Sequence, residues 1–152
     1  MASEKQLSKA VYEAAKIRAP RGVDLSAGTV LTDDQVDSLV GELGLPLFVK
    51  PAANGSSFGI SRVTERAGVN DAIARASGGG GRVLIEECVE GTEITVPVIG
   101  NEEPSALPIV EIVTGAEFYD LKVKYEPSSM HHVIPARLTP GVYAKAQDLA
   151  VR

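Results

Sequence analysis

The sequence contains one cysteine and no long apolar run. Cys88 can form no intrachain disulfide, and because free cysteine is among the most buried residue types, we expect a reduced core thiol on a strand. No apolar stretch approaches the roughly 20 residues that a membrane-spanning helix needs, and residues 1–9 lack the apolar segment of a signal peptide. These absences predict a cytoplasmic chain without a membrane partner.

The chain also lacks an excess of positive charge. Its 15 Lys and Arg residues stand against 20 Asp and Glu residues, giving a net charge of -5. This balance provides no general attraction to a nucleic-acid backbone or an anionic membrane, so any anionic ligand must be bound locally. With 152 residues, of which 44% are hydrophobic, the chain is long enough to bury the core of one ordinary domain.

Two common signatures of nucleotide and metal chemistry are missing. No Walker pattern occurs, so we expect the four glycines at 78–81 to form a turn. His131 and His132 lack a His-x3-His spacing and a nearby acidic cluster, and only one cysteine could assist them. A solvated or strand-packed histidine pair is therefore expected, and no residue is assigned as a metal ligand.

Hydrophobic periodicity and capping residues predict a chain that mixes helices and strands. Thr32 followed by Gln35 resembles a capping box, Thr64 is expected to cap a helix, and Thr139 with Pro140 predicts the start of another. The segment around Pro20–Gly28 is expected to be a loop. The predicted helices are 3–17, 32–43, 64–76 and 139–152, and the predicted strands are 45–49, 60–63, 83–88, 93–99, 107–113 and 131–134.

The last predicted helix has no stop signal before Arg152. An apolar-faced helix without a closing Gly or Pro suggests a chain that is truncated relative to a complete fold. The alternative is a natural C-terminal helix that frays into water.

The segment from Lys50 to Gly59 could bind a phosphate. Binding a nucleoside triphosphate without a Walker loop requires cations on separate elements and backbone amides for the phosphate oxygens. Lys50 ends an apolar strand, Gly55 and Gly59 allow close backbone approach, and the Ser56 and Ser57 hydroxyls can donate. Taken alone, the pattern also fits a hairpin beside a solvated lysine.

A series of motifs makes the pattern more specific. Phe48-Val49-Lys50-Pro51-Ala52 with Gly55-Ser56-Ser57-Phe58-Gly59 resembles the central ATP-grasp motif of D-alanine-D-alanine ligases and the related D-alanine-D-lactate ligases. The likeness covers essentially the whole chain. In order, the other similar segments are Glu4-Lys5 with Lys9, Val83-Leu84-Ile85-Glu86-Glu87, Gly91-Thr92-Glu93, Phe118-Tyr119-Asp120, Lys124-Tyr125 and Ile134-Pro135-Ala136.

The resemblance implies an α+β ATP-grasp fold. Residues 1–87 would form the first subdomain, with a small sheet and helices on one side, and residues 88–152 the first part of the second subdomain. By the same resemblance, the N-terminal substrate domain and the metal-binding C-terminal segment of a complete ligase lie outside this sequence. Because phosphoryl transfer depends on metal bridging of the phosphates, the chain alone is expected to be inactive.

The resemblance also implies roles for individual residues. Glu86 would accept from the adenine amino group, although an exposed edge-strand charge would otherwise be expected. Glu93 would accept from the two ribose hydroxyls. Lys124 would reach the transferred phosphate, and Tyr125 would hydrogen-bond to Ser56. The remaining expected contacts are Lys5 and Lys50 with the ATP phosphates, Ser56 and Ser57 in the closing loop, and the backbone of Glu87 to Val89 along the base.

The implied parent enzyme uses ATP and Mg2+ to phosphorylate the carboxylate of one D-alanine, which the amine of a second D-alanine then attacks. The product is a dipeptide for peptidoglycan, and the enzyme is expected to be a homodimer. Two alternatives stay open: a non-catalytic adenine-nucleotide-binding module, and another ATP-grasp carboxylate-amine ligase such as a D-alanine-D-lactate ligase. The Lys124-Tyr125 pair favours the dipeptide-forming type.

Overall fold

The computed structural model of the chain describes residues 5–53, 59–78, 80–114 and 130–152. The chain divides into two compact units, Met1–Val89 (unit 1) and Glu90–Arg152 (unit 2). No helix in the described ranges is long and apolar enough to cross a membrane. Within these ranges, the helices are α1 (Lys5–Ala14), α2 (Asp33–Leu43), α3 (Val69–Ala76) and α4 (Pro140–Val151); the strands are β1 (Gly22–Leu25), β2 (Leu47–Pro51), β3 (Ser61–Val63), β4 (Val83–Glu87), β5 (Ile94–Thr95), β6 (Val98–Ile99), β7 (Ser105–Ala106), β8 (Val110–Thr114) and β9 (Met130–Val133).

Unit 1 contains an antiparallel sheet of four strands in the order β1-β4-β2-β3. Side chains alternate across a strand, so the apolar residues of β2 and β4 at every second position share one face. Helices α2 and α3 supply the apolar residues that cover this face. The resulting core is Val36, Leu39, Leu43, Leu47, Val49, Val63, Val69, Ala72, Ile73, Ala76, Val83 and Ile85.

The start of α2 matches the predicted capping box. The Thr32 hydroxyl accepts from the Gln35 amide at 3.4 Å, and the Gln35 side chain accepts from the Thr32 amide at 2.9 Å. These two bonds satisfy backbone donors that have no partner within the helix. The predicted second helix is therefore confirmed.

The start of α3 differs from the prediction. Thr64 does not cap it, because a 3₁₀ turn at Arg66–Gly68 precedes the helix, which begins at Val69. The Arg66 guanidinium contacts Asp33 at 3.1 Å and also pairs with Asp37, so the turn is tied to the first turn of α2. This tertiary contact outweighs the local capping preference of Thr64.

Strand β1 replaces part of the predicted loop. Gly22–Leu25 pairs with β4 along its whole length, with Gly22 opposite Glu86 and Asp24 opposite Leu84. A Cβ at Gly22 would lie 2.3 Å from the Ile85 carbonyl oxygen and 2.9 Å from Glu86 Cγ. Only glycine fits this close approach of the two strands.

The described part of unit 2 contains a three-stranded sheet, β5-β8-β9, and a two-stranded ribbon, β6-β7. The prediction of a single strand over 93–99 was wrong. Pro97 separates β5 from β6, and because proline has no amide hydrogen to donate, it interrupts a ladder of hydrogen bonds. Its carbonyl still accepts from the Leu107 amide at 2.8 Å, and β5 and β6 pair in different sheets.

Polar contacts join the strands and the helix of unit 2. The Tyr143 hydroxyl on α4 accepts from the Ile109 amide at 2.8 Å, and the Gln147 side chain donates to the Leu107 carbonyl at 3.1 Å. Pro140 occupies the first turn of α4 as predicted, but the Thr139 side chain makes no capping hydrogen bond. These bonds fix α4 beside the segment that leads into β8.

The buried Glu111 carboxylate on β8 is held by Arg137. It accepts from the Arg137 side chain at 2.5 and 3.0 Å and from the Arg137 amide at 3.0 Å. The side-chain hydrogen bond, followed by the backbone bond, lowers the pKa of Glu111 to about 2. The carboxylate is therefore ionised in the folded chain throughout the ordinary pH range.

This pair predicts acid sensitivity. Because the pKa of Glu111 is lowered on folding, the stability it contributes is present above the unfolded value near 4.5 and is lost as the pH falls toward about 2. We expect Glu111→Gln to lower the thermal midpoint at pH 7. The variant should also show a smaller fall in thermal midpoint between pH 5 and pH 3 than wild type shows. Thermal unfolding at several pH values measures this. The exposed Glu103→Gln is the matched control, and an unchanged pH profile in Glu111→Gln would contradict the assignment.

Candidate functional site

The candidate site lies on the face of the unit 1 sheet that is opposite the core. Glu86 on β4 stands across from Gly22 on β1 and Phe48 on β2, and Lys50 follows Phe48 by two positions. Residues two apart on a strand share a face, so Lys50 and Glu86 are diagonal neighbours. Their side chains form an ion pair between Lys50 Nζ and Glu86 Oε2. The structure thus brings together two of the residues that the sequence predicted for nucleotide binding.

A second lysine completes this cluster from α1. Lys9 Nζ lies 2.6 Å from Glu86 Oε1 and donates to the Pro20 carbonyl at 2.7 Å. The Glu86 side chain is only 6% exposed, whereas the side chains of Lys9 and Lys50 are each 21% exposed. We call these three residues the Lys9-Glu86-Lys50 cluster.

The charges of the cluster explain how Glu86 is accommodated. A buried carboxylate is costly unless it is paired and hydrogen-bonded, and here each of its two oxygens contacts an ammonium group. Two cations and one anion leave one net positive charge. The two lysines keep part of their surface in contact with solvent, so the cluster can attract an anion from outside.

The end of β4 is fixed by a second ion pair. The Glu87 carboxylate accepts from the Arg21 amide at 2.8 Å and from Arg21 Nε at 2.7 Å. The backbone bond and then the side-chain bond from Arg21 lower the pKa of Glu87. The Glu87 amide donates to the Arg21 carbonyl, and the Cys88 amide donates to the Pro46 carbonyl. Val89 follows with 67% of its surface exposed.

Cys88 is not the strand residue that was predicted. Strand β4 ends at Glu87, and Cys88 lies immediately after it as a half-buried free thiol. The prediction of a buried core thiol was wrong, because Cys88 is only half-buried just beyond the strand, although its amide still donates to the Pro46 carbonyl next to β2.

Glu93 belongs to unit 2, where it directly precedes β5. Its carbonyl accepts from the Ile112 amide at 2.9 Å, which fixes the backbone at this point. The side chain is largely exposed, yet neighbouring protein atoms displace enough water to raise the pKa of its carboxyl group. The carboxylate remains accessible to a ligand with hydroxyl donors.

Several predicted site residues lie outside the described residues: Ser56, Ser57, Lys124 and Tyr125. The backbone of Lys5 begins α1, and its side chain also lies outside the described part of the chain. Their assigned roles therefore stay predictions. The described residues contain no group of three or more His, Cys, Asp or Glu side chains arranged to hold a metal ion.

The part played by Lys9 was missed in the prediction of the site. The sequence analysis noted Lys9 only as part of a motif and gave it no contact. Lys5 and Lys9 are four residues apart in α1, a spacing that places two residues on one side of a helix. This spacing was the signal in the sequence for considering Lys9 together with Lys5.

Comparisons with known proteins show the family of the chain. The family described as D-ala D-ala ligase C-terminus matches residues 21–152. The chain belongs to this family. Its curated relatives include a D-alanine–D-alanine ligase of Desulforudis audaxviator, 38% identical over 100% of this chain and 49% of its own length, and one of Polaromonas naphthalenivorans, 39% identical over 100% and 47%.

Solved structures of the family superpose on most of the chain. D-alanyl-alanine synthetase A of Vibrio cholerae aligns with 97% of this chain and 45% of its own, at a TM-score of 0.78 and 28% identity. VanG D-Ala:D-Ser ligase of Enterococcus faecalis aligns with 98% and 43%, at a TM-score of 0.73 and 28% identity. The expected α+β ATP-grasp fold is confirmed. The chain spans about half the length of the curated relatives that it matches.

Proposed function

We propose that this chain is the nucleotide-binding part of an ADP-forming D-alanine–D-alanine ligase. The observation that carries the proposal is the Lys9-Glu86-Lys50 cluster on the face of the sheet opposite the core. It combines a partly exposed cation with a carboxylate acceptor, the two groups that phosphate and an adenine amino group require. Residues 1–87 would be the first ATP-grasp subdomain, and residues 88–152 the first part of the second.

The described residues have separate roles in this proposal. Lys50 turns from Glu86 to the phosphates, as a compact cation on a flexible stem can do. Glu86 accepts from the adenine amino group, and the backbone of Glu87 to Val89 lines the base. Glu93 accepts from the ribose hydroxyls.

The remaining roles rest on the family resemblance. Lys5 contacts the phosphates, and Ser56 and Ser57 close over them. Lys124 neutralises charge on the transferred phosphoryl group, and Tyr125 hydrogen-bonds to Ser56.

The metal is proposed to bind elsewhere in the enzyme. Mg2+ takes oxygen ligands, and two of the three cluster side chains are ammonium groups, so the cluster does not fit a magnesium site. We place the Mg2+ ligands outside this chain and expect the chain alone to lack ligase activity. When bound, Mg2+ supplies charge neutralisation at the phosphates.

The proposed parent reaction joins two D-alanine molecules in a cytoplasmic homodimer that supplies peptidoglycan synthesis. The carboxylate of one D-alanine takes the phosphoryl group, the amine of the second attacks the acyl phosphate, and inorganic phosphate leaves as the peptide bond forms. We choose D-alanine as the second substrate because curated relatives that match the whole chain are D-alanine–D-alanine ligases. The D-Ala:D-Ser ligase among the structural relatives shows that this choice can vary within the family.

Calorimetric titration with a non-hydrolysable ATP analogue and Mg2+ tests the nucleotide site. We expect saturable binding that weakens by at least about tenfold in Lys50→Ala and in Glu93→Ala, because each removes a charge-assisted hydrogen bond. Lys145→Ala, an exposed position on α4, is the matched control and should bind as wild type does. Absence of binding by a demonstrably folded chain, or equal affinity in all variants, would contradict the proposal.

A further inference from the structure

Lys9 differs from Lys50 in how it is held. Its ammonium group contacts two acceptors on different elements, the Glu86 carboxylate of β4 and the Pro20 carbonyl between α1 and β1. Among the described residues, Lys50 contacts one carboxylate oxygen of Glu86, and a side chain held by two acceptors on different elements has less freedom to leave. Lys9 is therefore suited to stay in place when a ligand enters.

The position of Glu86 depends on its neighbours from three elements. Lys9 approaches from α1 and Lys50 from β2, and Gly22 of β1 lies directly opposite. A Cβ on Gly22 would come within 2.9 Å of Glu86 Cγ, so the glycine leaves room for the carboxylate stem. Asp24 shares this face of β1, but its carboxylate pairs with Arg82 at 2.5 Å. Glu86 is thus oriented by the two lysines.

We propose that Lys9 is a positioning residue that holds the Glu86 carboxylate in place for the base while Lys50 moves to the phosphates. This inference rests on the proposed function of the site. When Lys50 leaves, Glu86 Oε2 becomes available to accept from an exocyclic amino group, while Lys9 keeps Oε1 and prevents an unpaired buried charge. Lys9 therefore acts on base selection and touches no substrate itself.

Comparison of ADP with IDP isolates this effect. The two nucleotides carry the same phosphates and ribose, but adenine has an amino group where hypoxanthine has a carbonyl oxygen. A carboxylate accepts from the amino group and repels the carbonyl oxygen. We expect wild type to bind Mg-ADP at least about tenfold more tightly than Mg-IDP, the effect of one charge-assisted hydrogen bond.

The two lysines should then affect binding in different ways. Lys9→Met keeps the alkyl stem but removes the ammonium group, so the ADP-to-IDP affinity ratio should fall toward one. Lys50→Met should weaken both nucleotides by a similar factor and keep the ratio. Lys9→Arg, which retains a cation, should restore at least part of the ratio, and circular dichroism of each variant at the titration temperature confirms that it is folded.

The outcomes separate this inference from the proposed function. We expect the ADP-to-IDP affinity ratio to fall toward one in folded Lys9→Met and to keep its wild-type value in Lys50→Met. If wild type binds ADP selectively and Lys50→Met weakens it, but Lys9→Met keeps the wild-type ratio, the positioning role is overturned and the nucleotide site stands. Equal losses for ADP and IDP in Lys9→Met would likewise show a merely structural role. Wild type that binds neither nucleotide would overturn both.

Discussion

Gly22→Ala is expected to lower the free energy of unfolding of the chain by about 3 kcal/mol, near the upper end of the usual cost of overpacking. The added Cβ would lie 2.3 Å from the Ile85 carbonyl oxygen, and that oxygen belongs to the backbone of the central strand β4. Strands β1 and β4 must separate to relieve the clash, so the cost includes weakened sheet pairing. Urea unfolding followed by circular dichroism measures it.

Gly41→Ala provides the matched control. Gly41 lies in α2, and no atom comes within 4 Å of a Cβ built there. Alanine is favoured over glycine inside a helix, so this variant should be more stable than wild type by about 0.5–1 kcal/mol. A Gly22→Ala chain as stable as wild type would show that β1 does not approach β4 as closely as described.

Glu86→Leu is expected to cost about 3 kcal/mol or more of unfolding free energy. The substitution removes the carboxylate that pairs with both Lys9 and Lys50 and leaves two largely buried ammonium groups without this partner. Breaking a buried ion cluster by removing one partner is strongly destabilising because the remaining charges are unpaired. Urea unfolding again gives the measurement.

A triple variant shows whether the unpaired charges cause the loss of stability in Glu86→Leu. Lys9→Met and Lys50→Met, added to Glu86→Leu, replace the whole cluster with apolar side chains of similar length. Such replacements are often neutral or stabilising relative to the intact cluster, so the triple variant should recover most of the loss. If it were as unstable as Glu86→Leu alone, repulsion and desolvation of the lysines would not be the cause.

Elements with strong local signals could be predicted from the sequence. Thr32 and Gln35 carry a complete capping box, and α2 begins where that box places it. The apolar run that contains Leu47 and Val49 predicts a buried strand, and Lys50 near its end was placed correctly. In these cases the local preference and the packing of the fold favour the same structure.

Elements that depend on distant partners could not be predicted. Strand β1 contains a glycine and an aspartate, both poor strand formers, and it exists because β4 pairs with it and Arg82 pairs with Asp24. The helix start expected at Thr64 gave way to a turn that Arg66 ties to α2. Such contacts between residues far apart in the sequence leave no periodic pattern.

The site residues also divide into those that could be predicted and those that could not. Sequence motifs predicted the roles of Lys50 and Glu86, whereas Lys9 acquires its contact with Glu86 only because α1 approaches β4 in the folded chain. The burial of Glu86 also departs from the exposed edge-strand charge that its residue type alone favours, because β4 lies inside the sheet between β1 and β2. A buried glutamate needs cations nearby, and this requirement explains both lysines.

The central claim is that a nucleotide binds on the sheet face that carries Lys50 and Glu86, and amide chemical-shift mapping by NMR tests it most directly. Titration of the isotope-labelled chain with a non-hydrolysable ATP analogue and Mg2+ should produce saturable shifts concentrated at residues 47–51 and 83–89. The amides of α2 and α3, which cover the opposite face, should change little. Shifts confined to α2 and α3, or no saturable shifts in a folded chain, would contradict the account.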